Sequence, residues 1–303
     1  MSIAASFGHS LPRLPKDSDY PSKYRCVGIE IEQEYDDAEQ YREVYTREAD
    51  QYWSVTHDNS MRNVGIEFVS TILYPSDINP AMGLVWDAVM EGTFSWRAGI
   101  HVHVDVRDLT YDQLRNVANV YSIIEPLLFA WEGNHRHESR FCVPWYTCPD
   151  SVTTMFTNVT DENSPHDIAD SVNVFGKYAA LNLIPITGQG SIEFRHMQTC
   201  EDLSRVKSFI SMCLSIVEQG KDTTDLARVL SQYGARYLLT ERLGGHLSPL
   251  LDVPNYEELL WRGIDTSNAL SMSKVKLAPT TLSQDSYEDL MEIINNQLKG
   301  DKK

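Results

Sequence analysis

The sequence predicts an α+β fold, and three features of its 303 residues support this prediction. Six short segments have the composition or the apolar–polar alternation of strands. Longer amphipathic segments have the spacing of helices. Hydrophobic residues make up 42% of the chain, an ordinary fraction for a globular protein, which excludes wholesale disorder. The predicted strands are 24–34, 52–57, 65–72, 99–106, 178–185 and 190–196.

The predicted helices follow from candidate caps and from apolar spacing. Ser76 or Asp77 is the candidate N-cap of the first of them, and Thr110 is that of the long helix that follows it. We expect three parts: an irregular lead-in at 1–22, a main domain at 23–220 and a helical C-terminal extension at 221–303. The predicted helices are 77–90, 111–132, 201–219, 223–233, 256–263 and 285–298, with a linker at 277–284.

A long polar segment at 133–176 interrupts this pattern. Gly, Asn, Pro and Ser are scattered through it, and its periodicity is weak. A stretch of this length inside one domain is usually functional or mobile. The side chains of this segment that could take part in binding or catalysis are His135, Arg136, His137, Trp145 and Tyr146.

The chain is strongly acidic, because 26 Lys and Arg stand against 43 Asp and Glu, for a net charge of −17. Nonspecific nucleic-acid binding needs clustered cations, and an anionic membrane would repel this surface on average. We therefore expect neither kind of partner. A polyphosphate ligand would require cations to be placed among the carboxylates first.

Cysteine usage and the N-terminal residues indicate the cytoplasm. The five cysteines form no CxxC pair, which disfavours cysteine-ligated metal sites and disulfide frameworks. The first residues have neither a basic region nor a long apolar core, and no apolar run approaches the roughly 20 residues that a membrane helix needs.

The polar faces of four predicted strands carry the chemistry. In the first strand Ile29 and Ile31 share the face that must be buried, so Glu30, Glu32 and Glu34 stand together on the other face. Like charges in such a row repel unless a cation lies between them or water solvates them.

Three further strands repeat this design. If they belong to one sheet, their polar faces can coincide, together with the turn that joins the second and third strands. The predicted site contains Glu30, Glu32, Asp58, Ser60, Glu67, His101, His103, Glu193 and Arg195.

The donor set of this site indicates a metal type. Oxygen ligands dominate, which suits Mg²⁺ or Mn²⁺, whereas zinc prefers a tetrahedral set of His and Cys. Such ions can bridge nucleotide phosphates, and Arg195 could stabilise a phosphoryl group in transfer. The alternative is that these residues have no catalytic role. The strand faces would then be solvated surface, the His-x-His pair would be ordinary surface histidines, and Glu193 and Arg195 would form a surface ion pair worth about 0–1 kcal/mol.

These motifs, in this order, resemble the amidoligase family, which belongs to the carboxylate–amine ligases of the glutamine synthetase and γ-glutamylcysteine ligase superfamily. The resemblance covers about residues 24–219. It rests on GIEIE at 28–32, W-x₄-D-x-S at 53–60, EFVS at 67–70, GIHVHVD at 99–105, YAALNL at 178–183 and GSIEFR at 190–195.

The resemblance implies that 23–220 is an amidoligase-like catalytic domain with a curved, mainly antiparallel sheet of glutamine synthetase type and helices on its outer face. Its concave face would bind ATP and two or three Mg²⁺ or Mn²⁺ ions. ATP would phosphorylate a carboxylate, and an amine would attack the acyl phosphate.

Individual roles are implied in the same way. Glu30, His101 and Glu193 would share one metal. Glu32 and Glu67 would hold another metal. His103 would contact the transferred phosphate, and Arg195 would steady the phosphoryl or acyl-phosphate oxygens.

The sequence also departs from the relatives. Ser191 stands where glutamine synthetase has an arginine, so a phosphate contact is lost or supplied elsewhere. Arg140, a candidate catalytic residue that could supply this contact, and Lys177, a candidate cofactor-binding residue, match positions that are often basic in the family, with loop solvation as the alternative. Asn182 could shape the pocket, whereas Trp53 has the character of a core residue. The 133–176 segment could cover the substrate, since a ligase must shield an acyl phosphate from water.

The leading hypothesis is an ATP-dependent ligase that joins a small-molecule or peptide carboxylate to an amine. Three alternatives stay open at this point: a guanidino-kinase-like phosphotransferase, a non-catalytic binding module of the same fold, and a zinc hydrolase that uses His101 and His103. The substrates and the oligomeric state do not follow from the sequence.

Overall fold

The structure is a computed structural model, and it describes residues 1–11, 25–37, 39–133, 136–224 and 226–272. The linker predicted at 277–284 and the helix predicted at 285–298 lie outside these residues, as does His135 of the polar segment.

Six strands form one antiparallel sheet in the order β2-β3-β1-β4-β6-β5. The α+β class is therefore confirmed, and each predicted strand is present, although β5 has only two residues. The curvature and the glutamine synthetase type of the sheet stay predictions. The strands are β1 Val27–Tyr35, β2 Trp53–His57, β3 Val64–Ser70, β4 Gly99–Asp105, β5 Leu181–Asn182 and β6 Ser191–Gln198.

Ten α-helices accompany the sheet in the described residues, joined by short 3₁₀ turns and one π-helical turn at Leu238–Arg242. None of the helices in the described ranges is long and apolar enough to span a membrane. The helices are α1 Ile3–Phe7, α2 Gln40–Val44, α3 Pro75–Met90, α4 Tyr111–Glu132, α5 Pro149–Thr157, α6 Pro165–Val172, α7 Pro185–Gly188, α8 Leu203–Gly220, α9 Leu226–Tyr237 and α10 Tyr256–Met272.

Capping explains where two of these helices begin. Thr110 caps α4 as predicted. Its hydroxyl accepts a hydrogen bond from the Gln113 N–H, and the side-chain oxygen of Gln113 accepts one from the Thr110 N–H. The predicted cap of α3 is wrong, because the helix begins at Pro75, whose fixed φ suits a first helical turn, with Tyr74 as the N-cap.

Two expectations of irregular structure are corrected. The 133–176 segment contains α5 and α6, each of which begins with a proline in its first turn, and Ser164 and Asp167 form a capping box for α6. The predicted lead-in contains α1, and its Ile3 is fully buried. The predicted domain boundaries stay predictions.

The core lies between the apolar face of the sheet and the helices α3, α4 and α8. Its strand residues are those that the alternation predicts, and each is fully shielded from water. Burying a side chain of this size stabilises the fold by about 1.5–3 kcal/mol before entropy is counted. The central ones are Ile29, Ile31, Ile100, Val102, Val104, Ile192 and Phe194.

A buried acid anchors the segment that follows α4. The Glu125 carboxylate accepts hydrogen bonds from the Tyr121 hydroxyl (2.6 Å) and from the N–H groups of Trp145 (2.8 Å) and Tyr146 (2.9 Å). The Tyr121 oxygen also lies 3.0 Å from Nε2 of His196. Burial raises the pKa of Glu125 to about 7, although these hydrogen bonds oppose the shift.

This raised pKa predicts a pH-dependent contribution to stability. The contribution of Glu125 is fully present below its ordinary pKa of 4.5 and is lost as the pH rises through about 7. The free energy of unfolding of the wild type minus that of Glu125→Gln should therefore fall by on the order of 3 kcal/mol between pH 4.5 and pH 8. Urea unfolding at a series of pH values measures this difference, and a constant difference would contradict the assignment.

Candidate active site

The register of the central strands brings the predicted polar residues to one place. Glu30 of β1 is paired with His101 of β4, and His103 of β4 is paired with Glu193 of β6. On the other side of β1, Glu32 is paired with Glu67 of β3. The β4–β6 ladder shifts register between Ile100 and Val102, an irregularity of the kind that often lies beside functional sites.

Glu30 lies between the two histidines. Its Oε2 is 3.1 Å from Nδ1 of His101, and its Oε1 is 3.2 Å from Nε2 of His103. The Glu193 carboxylate completes the cluster, with Oε1 at 3.4 Å from Nδ1 of His101. Arg195 donates a hydrogen bond to the same oxygen of Glu193, and the Asn182 amide donates to the other oxygen over 2.6 Å. These contacts fix the orientation of both carboxylates.

The cluster fits a divalent cation by two observations. One ligand atom from each of Glu30, His103 and Glu193 lies within 4.8 Å of the others. The Nε2 atom of His101 is buried without a hydrogen-bond partner, and a neutral imidazole nitrogen is a common metal ligand. The resemblance implies His101 as the ligand shared with Glu30 and Glu193. Its Nδ1 lies 3.1 Å and 3.4 Å from their nearest oxygens, and Nε2 of His103 lies 3.2 Å and 4.0 Å from the same two acids, so both histidines are within reach of one ion.

Attraction between the carboxylates and the imidazoles of this cluster stabilises their charged forms. Burial disfavours the carboxylates of Glu30 and Glu193, but the imidazoles of His101 and His103, and for Glu193 also Arg195, lower the pKa of both acids. Conversely, burial disfavours the His103 imidazolium, and the neighbouring Glu30 and Glu193 raise the pKa of His103.

Glu32 and Glu67 form a second, more strained acidic pair. Glu32 accepts the Gly99 N–H over 2.9 Å, and Glu67 accepts the Thr56 hydroxyl over 3.2 Å. Burial and the negative charges of Glu30 and Glu32 raise the pKa of Glu67. A cation between these acids would remove this repulsion, which agrees with their predicted role as ligands.

Two cavities open from the cluster. The large cavity, of about 430 Å³, is bordered by Glu30, His103 and Ser191, and the Ser191 hydroxyl lies 3.3 Å from Nδ1 of His103. The cationic cavity, of about 200 Å³, is bordered by Glu32, Glu67 and four basic side chains. These basic side chains are Arg97, Arg136, Lys177 and Arg195.

Other predicted residues divide between the site and its surroundings. Asp58, Ser60 and Lys177 border the cationic cavity. Trp53 belongs to the core, where its indole N–H donates to the Ala81 carbonyl over 2.8 Å. Arg140 is exposed over the Phe141 ring and borders neither cavity, so its predicted catalytic position is not supported by this arrangement.

Two arginines of the site were missed or only partly seen in the sequence. No sequence pattern marks Arg97, which stands two residues before β4. The sequence indicates Arg136 only as one member of the polar segment. Arg136 is 1% exposed, and its guanidinium donates to the Arg195 carbonyl over 3.1 Å while its Nε has no partner. The sequence signal was its position in a loop that also holds aromatic residues.

Gly65 allows the turn with Asp58 to lie against β3. The Asp58 N–H donates to the Gly65 carbonyl over 3.0 Å, and Asp58 accepts the Ser60 N–H over 2.7 Å. A Cβ at position 65 would lie 2.1 Å from the Asp58 carbonyl oxygen and 2.5 Å from the Met61 side chain. Any larger residue must therefore push this turn away from the cationic cavity.

Gly65→Ala should cost about 1–3 kcal/mol in the free energy of unfolding, because the new methyl group meets backbone and not a flexible side chain. Gly83→Ala is the matched control, since Gly83 is an exposed residue within α3 with no atom near its added Cβ. The control should stabilise the protein by about 0.5–1 kcal/mol. Denaturant unfolding of both variants measures the contrast, and equal effects would refute it.

Comparison with known protein families gives one match. A family model described as "Putative amidoligase enzyme" matches residues 29–217, which is well over half of the chain and includes all six strands apart from the first two residues of β1. No curated protein matches the chain. The chain belongs to this amidoligase family.

Proposed function

We propose that the protein is an ATP- and Mg²⁺-dependent ligase that joins a carboxylate to an amine through an acyl phosphate. The observation that supports this proposal best is the meeting of two cavities of different chemistry at one acidic cluster with two histidines. Such an arrangement suits a reaction in which a phosphoryl donor and a carboxylate meet end to end.

The large cavity is the proposed nucleotide site. Its volume lies within the range of small-molecule sites, and it is bordered by Gly28, Ser70, Thr71, Gln189 and Ser191, which offer backbone and hydroxyl or amide groups without carboxylates. Of the cluster, Glu30 and His103 border this cavity, so the phosphates of ATP would point towards these two residues.

The cluster is the proposed metal site. Glu30, His103 and Glu193 would hold one ion, and Glu32 and Glu67 would hold another, with His101 between the two groups. Mg²⁺ or Mn²⁺, when bound, would neutralise the phosphate oxygens and polarise the phosphorus for attack. Without such ions the acids of this cluster would repel a nucleotide.

The cationic cavity is the proposed site of the acid substrate. One oxygen of its carboxylate attacks the γ-phosphorus of ATP, the bond from phosphorus to the β–γ bridging oxygen breaks, and ADP leaves. The amine nitrogen then attacks the acyl carbon, the bond from this carbon to the phosphate oxygen breaks, and the amine gives up a proton as phosphate leaves. Arg195, whose pKa the adjacent Glu193 raises despite burial, stays charged and would face the oxygens that gain charge.

The first part of the polar segment covers this site. Arg136 is buried beside Arg195, and the Phe141 carbonyl accepts the Arg195 Nε–H over 3.3 Å. These contacts would help to exclude water from an acyl phosphate, which is the role that the sequence suggested for the whole segment.

The acid ligands give the sharpest test. In assays with ATP, Mg²⁺ and panels of acids and amines, Glu30→Gln and Glu193→Gln should lower amide formation by on the order of a hundredfold or more, because each removes a ligand charge while keeping its shape. Glu43→Gln, an exposed acid of α2, is the matched control and should keep full activity.

The same assays separate the alternatives. A stable phosphorylated product without amide would favour the guanidino-kinase-like reaction. Tight stoichiometric zinc would favour the hydrolase. Failure to bind both nucleotide and divalent metal would leave a non-catalytic module and refute the proposal.

The proposed cell compartment rests on the cysteines. All five cysteines are free in the structure, which supports the proposal of a reducing, cytoplasmic environment. Small-molecule or peptide acids and amines are the proposed partners, and the oligomeric state is left open.

A further inference from the structure

We propose that the acid substrate is an acidic peptide with several carboxylates, and that it binds along a strip at the mouth of the cationic cavity. This inference rests on the proposed function and deepens it by naming the substrate class. The strip, called the cation–aromatic strip, consists of Arg62, Trp96, Arg97, Phe141, Tyr178 and Lys177.

The strip is continuous. The Arg62 guanidinium lies 6.0 Å from the centroid of the Trp96 ring, and that of Arg97 lies 5.5 Å from Trp96 and 5.6 Å from Phe141. The Phe141 ring meets Tyr178 edge to face at a centroid distance of 5.5 Å, and the Lys177 ammonium lies 5.3 Å from the Tyr178 ring. Cationic side chains and rings therefore form one connected series, of which Arg97, Phe141, Tyr178 and Lys177 border the cationic cavity.

The cations of the strip are not used within the protein. Among the described residues, Arg62, Arg97 and Lys177 form no ion pair with any acid, although acids outnumber bases by 43 to 26 over the chain. Arg136, which borders the same cavity, is 1% exposed, donates to the carbonyl oxygens of Trp96 and Arg195 and keeps a buried Nε without a partner among the described residues. Such unpaired cations around one cavity indicate an external anion.

The exposure of the rings indicates a ligand that extends beyond the cavity. Trp96 is 51% exposed and Tyr178 is 37% exposed, so both offer apolar surface to the chain of a ligand. The cavity itself, of about 200 Å³, has room for one carboxylate and a short side chain. Further carboxylates of a peptide would meet Lys177 at the edge of the cavity and Arg62 beyond it.

A nucleic acid fits this strip less well than a peptide. Base stacking needs free ring faces, but Trp96 already has two guanidinium groups within 6.0 Å of its centroid, and Phe141 has those of Arg97 and Arg140. A peptide backbone needs no such stacking, and its carboxylates can pair with guanidinium groups that stay on the rings.

Isothermal titration of the full chain with tetraglutamate tests the proposal without ATP. We expect tetraglutamate to bind at least about tenfold more tightly than free glutamate, tetraglutamine not to bind detectably, and affinity to fall as salt is raised. Equal affinity for glutamate and tetraglutamate would overturn the proposal, as would tighter binding of a thymidine oligonucleotide in competition.

Variants locate the binding. Arg62→Gln should weaken tetraglutamate binding about fivefold, and Trp96→Ala should weaken it by a similar factor through lost apolar contact. Arg47→Gln removes the same charge from another exposed arginine and should leave binding unchanged. An equal loss in Arg47→Gln and Arg62→Gln would overturn the assignment of the strip.

The two proposals fail in different ways. Peptide binding without ATP turnover, with any amine, would remove the ligase reaction but keep the strip as a binding surface for acidic peptides. Amide formation with small monocarboxylates, together with no binding of tetraglutamate, would keep the ligase and overturn the peptide substrate.

Discussion

The antiparallel pairing of β1 with β4 is the interaction on which the site depends. It sets Glu30 opposite His101, and the same strand β4 sets His103 opposite Glu193 on its other side. The apolar residues between them are buried against the helices, so a slip of one residue would move every polar group into the core. The hydrophobic core therefore fixes the positions of the chemical groups.

The charged side chains of the site form two layers, an acidic layer at its floor and a basic layer around the cationic cavity. Acids crowd the floor of the site, where Glu67 carries a raised pKa because of its burial and its acidic neighbours. Basic side chains border the cationic cavity, and among the described residues Arg97, Arg136 and Lys177 form no ion pair with an acid. A divalent ion would satisfy the first layer and an anionic substrate the second, so each layer is incomplete in the way that the proposed reaction requires.

The sequence predicts the sheet and its polar faces well because both depend on alternation. Glu30, His101, His103, Glu193 and Arg195 come together for this reason. The exact ligand geometry depends on rotamers, and both His101 and His103 lie within 4.0 Å of the two acids. The positions of Arg136 and Arg140 depend on how a loop folds over the sheet, and no periodicity encodes that. Helices α5 and α6 were missed because their apolar spacing is short, although Ser164 and the two prolines mark their starts.

On this mechanism the acidic cluster becomes a nucleotide site only when it holds a divalent ion. The decisive measurement is titration of a non-hydrolysable ATP analogue into the protein, with Mg²⁺ and then with EDTA. We expect saturable binding with Mg²⁺ and loss of binding with EDTA, since bare carboxylates repel phosphate. Equal binding in both conditions, or none in either, would contradict it.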